Sequence, residues 1–285
     1  MCLSVIIVSW NVKDFLKKCL TSIFLFIKEV DYEIILVDNA STDGSVEMVQ
    51  KEFPKVKLIV NKKNFGFAQA NNQGIKESKG KYLLILNPDT EFIDDRIKEL
   101  IDFLERNSVV GAVGCQILNS DLSLQPSVRR FPSLKAMLAI QLKLPHLFTV
   151  KAVNHYLAHD FDYRSPQKVE QIMGAFMLIP KTIFKKIGLF DEKFHVWFEE
   201  VDLCQRISKA GYQVFYNPAA KIVHYGGKSF QQLFSLKKQI IWNRSLSHYF
   251  YKHCFKISWL VLWLIQPITW FLSFIISFNN FKRKS

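Results

Sequence analysis

The feature that most limits what this chain can fold into is a series of short, uninterrupted apolar runs, each closed by small polar or acidic residues and followed by a helical pattern. Val5-Ile6-Ile7-Val8 is a continuous β-branched run that stops at Ser9-Trp10-Asn11, and a helical pattern follows from Asp14 to about Lys28 with Phe15, Leu16, Leu20 and Ile23 on one side. Glu33 to Val37 is a second run and opens into Asp38-Asn39-Ala40-Ser41-Thr42-Asp43-Gly44-Ser45. Val46 to Phe53 reads as a helix, Val56 to Val60 as a third strand, Ala68 to Glu77 as a helix, and Tyr82 to Leu86 as a fourth strand that stops at Asn87-Pro88-Asp89. Runs this continuous suit strands buried on both faces, so the expectation is an α/β fold with a mostly parallel central sheet. Ligands of such sheets bind beyond the carboxyl ends of the strands, where Ser9, Asp38 and Asp89 can converge on one crevice.

Several classes are argued against at once. No G-x-G-x-x-G follows the first strand and no G-x-x-x-x-G-K-[ST] occurs, which disfavours a dinucleotide dehydrogenase or a P-loop NTPase. The five cysteines form no C-x-x-C pair, so neither a disulfide framework nor a cysteine zinc site is suggested and a reducing compartment is expected. The first eight residues read as a buried strand rather than a secretory signal, since no basic region precedes the apolar run. At 285 residues the chain suits one large domain, or one domain with an appendage.

Charge is unevenly placed within the net +13. The last acidic residue is Asp202, and the 83 residues after it carry 12 Lys and Arg. That asymmetry points to a polyanion, either nucleic acid or an anionic membrane surface. Residues 257–278 hold no charge, which at about 1.5 Å per residue could cross a hydrocarbon core of about 30 Å. Trp259, Trp263 and Trp270 suit an interfacial belt, and Lys252, Lys256, Lys282, Arg283 and Lys284 suit phospholipid headgroups. Pro267 would break a straight helix, so two short helices lying in one leaflet are preferred to a kinked span or a soluble apolar pair. The expected organisation is an α/β domain over residues 1–228, basic amphipathic helices over 229–256, and an apolar membrane-associated segment with a basic tail over 257–285. The expected place is the cytoplasmic face of the plasma membrane, peripheral or anchored by the C-terminal segment, with no nucleic-acid partner.

Nine segments then occur in a telling order: V-I-I-V-S-W-N (5–11), V-D-N-A-S-T-D-G-S (37–45), N-F-G-F-A-Q-A-N-N-Q-G (64–74), L-N-P-D (86–89), R-R-F-P (129–132), G-A-F-M (174–177), F-D-E-K-F (190–194), F-E-E-V-D-L-C-Q-R (198–206) and H-Y-G-G-K-S (224–229). The chain resembles glycosyltransferase family 2, with the GT-A fold, and within it the bacterial rhamnosyltransferase-like enzymes of cell-surface polysaccharide assembly. The resemblance spans about residues 4–250.

It gives roles to residues that alone allow plainer readings. Asp38 caps a turn by residue type, whereas the family's aspartate there binds the nucleotide base. Ser9 closes the first strand at the same crevice. Asn64, Gly66 and Asn71 form an ordinary helix start, or by resemblance lie against the nucleotide. Asn87-Pro88-Asp89 resembles the D-x-D element that holds Mg²⁺ or Mn²⁺ against the sugar-nucleotide diphosphate, with Asn87 in its first acidic position and Asp89 as the main carboxylate ligand. His224 is a structural histidine or, by resemblance, a group near the metal and diphosphate. Arg129 and Arg130 are solvated surface or, in the family, face the diphosphate and acceptor, as an arginine fork would suit. Glu199, Glu200 and Asp202 favour a helix start, yet three close carboxylates also raise one another's pKa, as a general base requires. The family pattern Glu-Asp-x-Asp puts its catalytic base at Glu200, where this chain carries the longer Glu, with Glu199 and Asp202 supporting. Residues 143–168, without clear periodicity, read as a mobile acceptor loop.

The implied activity is inverting, metal-dependent transfer of a sugar, rhamnose by preference, from a dTDP- or UDP-sugar to a hydroxyl of a lipid-linked saccharide. Asn87 and Glu200 are the departures that would permit the alternative, an inactive membrane-tethered sugar-binding subunit; a basic nucleic-acid-binding protein is the remaining one.

Overall fold

A computed structural model of the chain describes residues 1–227 and 235–272. The strands are β1 (Leu3–Ser9), β2 (Tyr32–Asp38), β3 (Lys57–Val60), β4 (Tyr82–Leu86), β5 (Thr90–Phe92), β6 (Val110–Leu118), β7 (Val128–Arg129), β8 (Gln167–Val169), β9 (Gln171–Ile172), β10 (Phe176–Pro180) and β11 (Gln213–His224). The helices are α1 (Lys13–Phe26), α2 (Ser45–Glu52), α3 (Phe67–Glu77), α4 (Ile97–Arg106), α5 (Leu134–Gln141), α6 (Lys151–Tyr156), α7 (Lys181–Ile187), α8 (Glu199–Lys209), α9 (Ser235–His253) and α10 (Lys256–Leu264).

The main sheet runs β3-β2-β1-β4-β10-β6-β11-β5, with β8 on β11, and a small pair β7-β9 stands beside it. The β3-β2-β1-β4 half is parallel, as the sequence pattern requires. The other half corrects the expectation of a mostly parallel sheet. There β10 lies antiparallel between β4 and β6, while β11 is parallel to β6 and antiparallel to β5 and β8, so the sheet is mixed. Why both faces are apolar is visible strand by strand. Val5, Ile7, Leu84, Leu86 and Leu178 point to one core with α1 and α4, whereas Ile6, Leu83, Ile85, Met177 and Ile179 point to the other with residues of α3, α7 and α8. Period-2 alternation of Cβ with apolar residues on both sides gives a two-sided sheet.

A third core joins the C-terminal helices to this body. Leu246, Tyr249 and Phe250 of α9 and Leu262 of α10 pack with Ala136 and Met137 of α5, Tyr156 of α6, and Phe194, Phe198 and Val201. The α9 face is thus packing surface first, and the basic stretch 229–256 is not free along its length; residues 228–234 lie outside the described ones. Within 257–278, α10 ends at Leu264 and a second helical stretch covers 266–272, with the break just before Pro267 as its ring demands. Among the described residues no helix is long and apolar enough to cross a membrane, and residues 273–285 lie outside them. The Trp259 indole donates to Ser247 Oγ at 2.8 Å, which ties α10 back to α9. The 143–168 region also departs from a bare loop, since it forms a 3-10 turn at Leu144–His146 and the helix α6, with Val153 and Tyr156 buried. All five cysteines are free thiols.

Candidate active site

Beyond the carboxyl ends of β1, β2 and β4 lies a cavity of about 550 Å³. Parallel register sets Ser9 beside Asp38 at the carboxyl ends of β1 and β2, where their chain neighbours Val8, Trp10 and Asn39, rather than the two themselves, line the cavity. Asp38 is buried; one carboxylate oxygen accepts from Ser41 N at 2.9 Å, and the other has no hydrogen-bond partner. Ser9 Oγ is likewise buried and unpartnered. Neighbouring Asn39 was not singled out by the sequence, yet it braces the whole wall. Its amide nitrogen donates to Asn64 Oδ1 and Gly66 O, both at 3.1 Å, and its oxygen accepts from Phe65 N and Asn61. Asn64 in turn accepts from Gly66 N, and both line the cavity. Gly66 is irreplaceable for two reasons. Its φ of +85° with ψ 173° is a region only glycine enters readily, and a Cβ there would stand 2.3 Å from His195 O. That closeness lets Phe67 N donate to the same carbonyl at 2.7 Å, which fixes the 195–198 loop to α3. Asn71 lies one turn into α3, buried, with Oδ1 unpartnered; it is not among the cavity-lining residues.

The candidate metal ligands meet because β5 pairs with β11, with His224 opposite Thr90 and Tyr225 N donating to Asp89 O. His224 Nδ1 contacts Gln125 Oε1 at 2.7 Å, and Gln125 donates back to His224 O. Gln125 therefore holds the tautomer in which Nδ1 carries the proton, leaving a lone pair on Nε2. That Nε2 is buried, lacks a hydrogen-bond partner and stands 3.4 Å from Asp89 Oδ1. An imidazole nitrogen and a carboxylate oxygen turned to one spot, with the imidazole oriented from behind, fit a divalent cation. Among the described residues no group of three His, Cys, Asp or Glu side chains is placed to hold a metal ion by itself. Such a cation would thus take its remaining ligands from phosphate oxygens and water, as Mg²⁺ and Mn²⁺ favour. Asn87 lines the cavity, while its backbone is held by Ala175 O and Thr90 Oγ1.

The facing wall carries the acids. The structure starts α8 at Glu199, so the carboxylates stand in its first turn, where the helix dipole favours them. Glu199 and Glu200 line the cavity. Burial, then the charge of Glu200, pushes the Glu199 carboxyl well above the ordinary glutamate value, and Glu199 Oε2 has no hydrogen-bond partner. Burial also raises Glu200, against backbone hydrogen bonding and the pull of Arg129. Asp202 turns elsewhere. It is fully buried in an ion cluster, bonded to Arg206 at 2.8 Å, His253 at 2.6 Å and Lys252 at 2.7 Å, and plays no part in the cavity wall. The expected arginine fork is divided in the same way, because neighbouring residues at a strand point to opposite sides. Arg129 lines the cavity with its guanidinium over the Tyr156 ring at 5.8 Å, whereas Arg130 bonds Asp160 at 2.7 Å and His155 O. Tyr156, His195, Trp197, Lys237 and Trp242 also line the cavity, and sequence reasoning did not find them.

Of the six buried side-chain polar atoms without partners among the described residues, five belong to Ser9, Asp38, Asn71, Glu199 and His224. Buried polar groups are rarely left so, and their gathering at one end of the sheet marks a ligand site.

Residues 4–187 match the sequence family described as glycosyl transferase family 2. The chain belongs to that family. It is a glycosyltransferase of the rhamnosyltransferase-like kind. Residues 155–227 of this family 2 enzyme also match a family described as the N-terminal domain of galactosyltransferase. It is 27% identical over 252 residues to the N-acetylglucosaminyl-diphospho-decaprenol L-rhamnosyltransferase of Mycobacterium tuberculosis, covering 80% of this chain and 77% of that one. It is also 27% identical over 239 residues to the rhamnosyltransferase WbbL of Escherichia coli, covering 81% and 86%. A mannosyltransferase of Pyrobaculum calidifontis, solved with GDP-mannose and Mn²⁺, shares the fold with a TM-score of 0.60 at 15% identity, over 99% of this chain and 75% of the other. GalNAc-T7, solved with UDP, GalNAc and Mn²⁺, gives the same TM-score at 18% identity over 79% of this chain and 44% of its own. The family 2 enzyme therefore has an α/β, GT-A-like fold.

Proposed function

We propose that the enzyme transfers a sugar, rhamnose by preference, from a nucleoside-diphosphate sugar to a hydroxyl of a lipid-linked saccharide, with inversion at the transferred carbon. The observation that carries this is the one cavity shared by the unpartnered His224 Nε2, Asp89 and the raised carboxyls of Glu199 and Glu200, with the unpartnered Ser9 and Asp38 atoms at the strand ends next to its wall. Asp38 receives a base N–H, and Ser9, Asn64, Gly66 and Asn71 shape the nucleoside side. Asp89 and His224 hold a divalent cation, with Asn87 beside them; when bound, it supplies charge compensation for the departing diphosphate. Arg129 adds positive charge on the same side, while Arg130 holds the loop behind it. Glu200 accepts the proton of the acceptor hydroxyl; that oxygen bonds to the anomeric carbon as the bond to the phosphate oxygen breaks, and the nucleoside diphosphate leaves with the electron pair.

The names of the M. tuberculosis and E. coli relatives favour rhamnose, and the first also favours a diphospho-polyprenol acceptor. Such an acceptor places the enzyme at a membrane surface, bound peripherally on the cytoplasmic side through the 256–272 helices and the basic residues around them.

The test is isothermal titration with dTDP and with UDP, each with and without Mn²⁺, repeated on Asp89→Ala. One nucleotide should bind about tenfold or more tightly with Mn²⁺, and Asp89→Ala should abolish that gain. Binding of neither nucleotide in the presence of Mn²⁺ would overturn the reading.

A further inference from the structure

The two carboxylates of the active site hang on an unusual piece of backbone. Trp197 and Phe198, consecutive and bulky, both adopt the left-handed conformation, with φ of 65° and 69°, immediately before Glu199. Non-glycine residues disfavour that region, and a pair of them persists only where surroundings enforce it. Phe198 is the N-cap of α8, so its conformation sets the direction from which Glu199 and Glu200 enter the cavity.

α3 holds the loop at His195 O, and α9 grips it from Val196 onward. Just before the turn, the buried hydroxyl of Ser245 donates to Val196 O at 2.7 Å. On the turn itself, the Phe198 ring is buried between Trp242, with ring centroids 5.7 Å apart at 62°, and Tyr249, at 5.8 Å. Just after it, His253 and Lys252 bond Asp202, and Tyr249 donates its hydroxyl to Gln205 of α8. Upstream, His248 and Lys252 hold Asp191. Residues 242, 245, 249, 252 and 253 recur at helical spacing, so one face of α9 makes all of these contacts. No other helix touches the turn on both sides in this way among the contacts described.

We infer that α9 is a positioning element of the catalytic centre, which holds the left-handed Trp197–Phe198 turn through Ser245 and Trp242 and so aims Glu199 and Glu200 at the reacting atoms. The C-terminal helices are then part of the catalytic apparatus as well as an appendage to it. The inference rests on the reading of Glu200 as the base, and the experiment keeps the two apart.

Ser245 is buried outside the cavity wall, so Ser245→Ala in the full chain loosens the turn without touching substrate. Loss of one buried hydrogen bond at a pre-organised acid should lower kcat about tenfold while donor KM stays within about twofold. Glu200 is faced by Glu199 and Cys204 of its own helix, by Arg129 of β7 and by Tyr156 of α6, and a loosened turn admits water to it. The acid limb of the kcat–pH profile should therefore move to lower pH. Ser245→Thr keeps the hydroxyl and should return kcat to within about twofold of wild type. If Ser245→Ala does not fold, Tyr249→Phe, which lies outside the cavity wall, keeps a ring against Phe198 and removes the bond to Gln205 of α8, provides the same comparison with a smaller loss. Wild-type kcat in Ser245→Ala overturns the inference. So does a loss that follows donor KM or the folded fraction while the pH limb stays in place. Glu200→Gln is run beside it: undiminished turnover there defeats the base reading, and the grip of α9 is then decided by kcat and the Thr rescue alone.

Discussion

At the scale of the residue, the two adjacent glutamates are separated by their surroundings. Glu199 is buried with one oxygen unpartnered, and desolvation followed by the charge of Glu200 keeps its carboxyl neutral far above the usual range. Glu200 is half-buried with Arg129 opposing its shift, so it is the member of the pair that ionises first. On the proposed reading, the carboxyl of the two that ionises first is the one suited to act as base. Glu200→Gln should lower kcat about 10²–10⁴-fold with donor KM nearly unchanged. Glu199→Gln, which copies the neutral form of that side chain, should cost less than about tenfold. The sign with pH follows. A base must be ionised, and Glu200 ionises above the ordinary glutamate value of about 4.3, so turnover rises with pH through a limb above that value. That limb should be missing in Glu200→Gln. Steady-state kinetics of the three proteins from about pH 4.5 to 8 decide the matter, and equal losses in the two variants would sink the assignment.

At the scale of the element, the ion cluster between α8 and α9 makes a second expectation. Burial opposes ionisation of Asp191, but the bonds from Lys252 and His248 prevail and hold its carboxyl well below the usual value. Burial likewise opposes Asp202, where His253, Arg206 and Lys252 prevail. With depressed folded-state values, their contribution to stability is complete above the unfolded value of about 3.9 and is lost as pH falls below it. Acid should therefore release α9 from the body first, seen as a change in tryptophan emission from Trp242 and Trp259 ahead of the loss of circular dichroism. In Asp202→Asn that first step should come at higher pH, because breaking a buried pair costs about 3 kcal/mol at neutrality. An unchanged first step in Asp202→Asn would refute the account. This level also shows what could be read from the chain. The first four strands and the helices between them announce themselves, since their apolar runs and polar ends are local. The direction of β10 does not, because Phe176 to Ile179 reads the same run up or down; only its place between β4 and β6 makes it antiparallel. Asp89 and Glu200, which line the cavity, and Asp38 beside it could be picked out as candidates because each sits at the end or start of an element with a recognisable motif. Gln125 behind His224, Asn39 behind Asn64, and Trp242 at the cavity were not, for their roles come from contacts 99, 25 and 44 positions away in the chain. Arg129 and Arg130 read as a pair until β7 divides them.

At the scale of the whole molecule, charge and apolar surface lie together. Ile257, Leu260, Leu264, Ile268 and Phe271 are exposed at spacings of three and four, beside exposed Phe255, Trp263 and Trp270. Leu262 and Thr269 on the opposite side are buried, and Asn243 donates to Thr269 Oγ1 at 2.7 Å, so the ridge is held outward by its own packing. Contiguous exposed apolar residues of this extent mark an interaction surface, and the chain around them has basic residues and, after Asp202, no acidic one. A protein partner would need a matching groove and acidic rim; an anionic lipid surface supplies both acyl chains and charge without one. In the proposed membrane-bound state, helices of this length would lie along the interface, where each Lys or Arg near an anionic surface adds about 1 kcal/mol. The full chain should therefore co-sediment with vesicles containing about 30% phosphatidylglycerol and only weakly with pure phosphatidylcholine. Salt at about 0.5 M should reduce the difference, as screening requires. Leu260→Glu with Leu264→Glu should abolish binding at either salt while leaving nucleotide titration unchanged, because neither residue lines the cavity. Equal sedimentation of that double variant and the wild type would show that the ridge serves another purpose. Because α9 joins this ridge to the turn that carries Glu199 and Glu200, the same experiment run with turnover as a second readout asks whether docking and catalysis share one element.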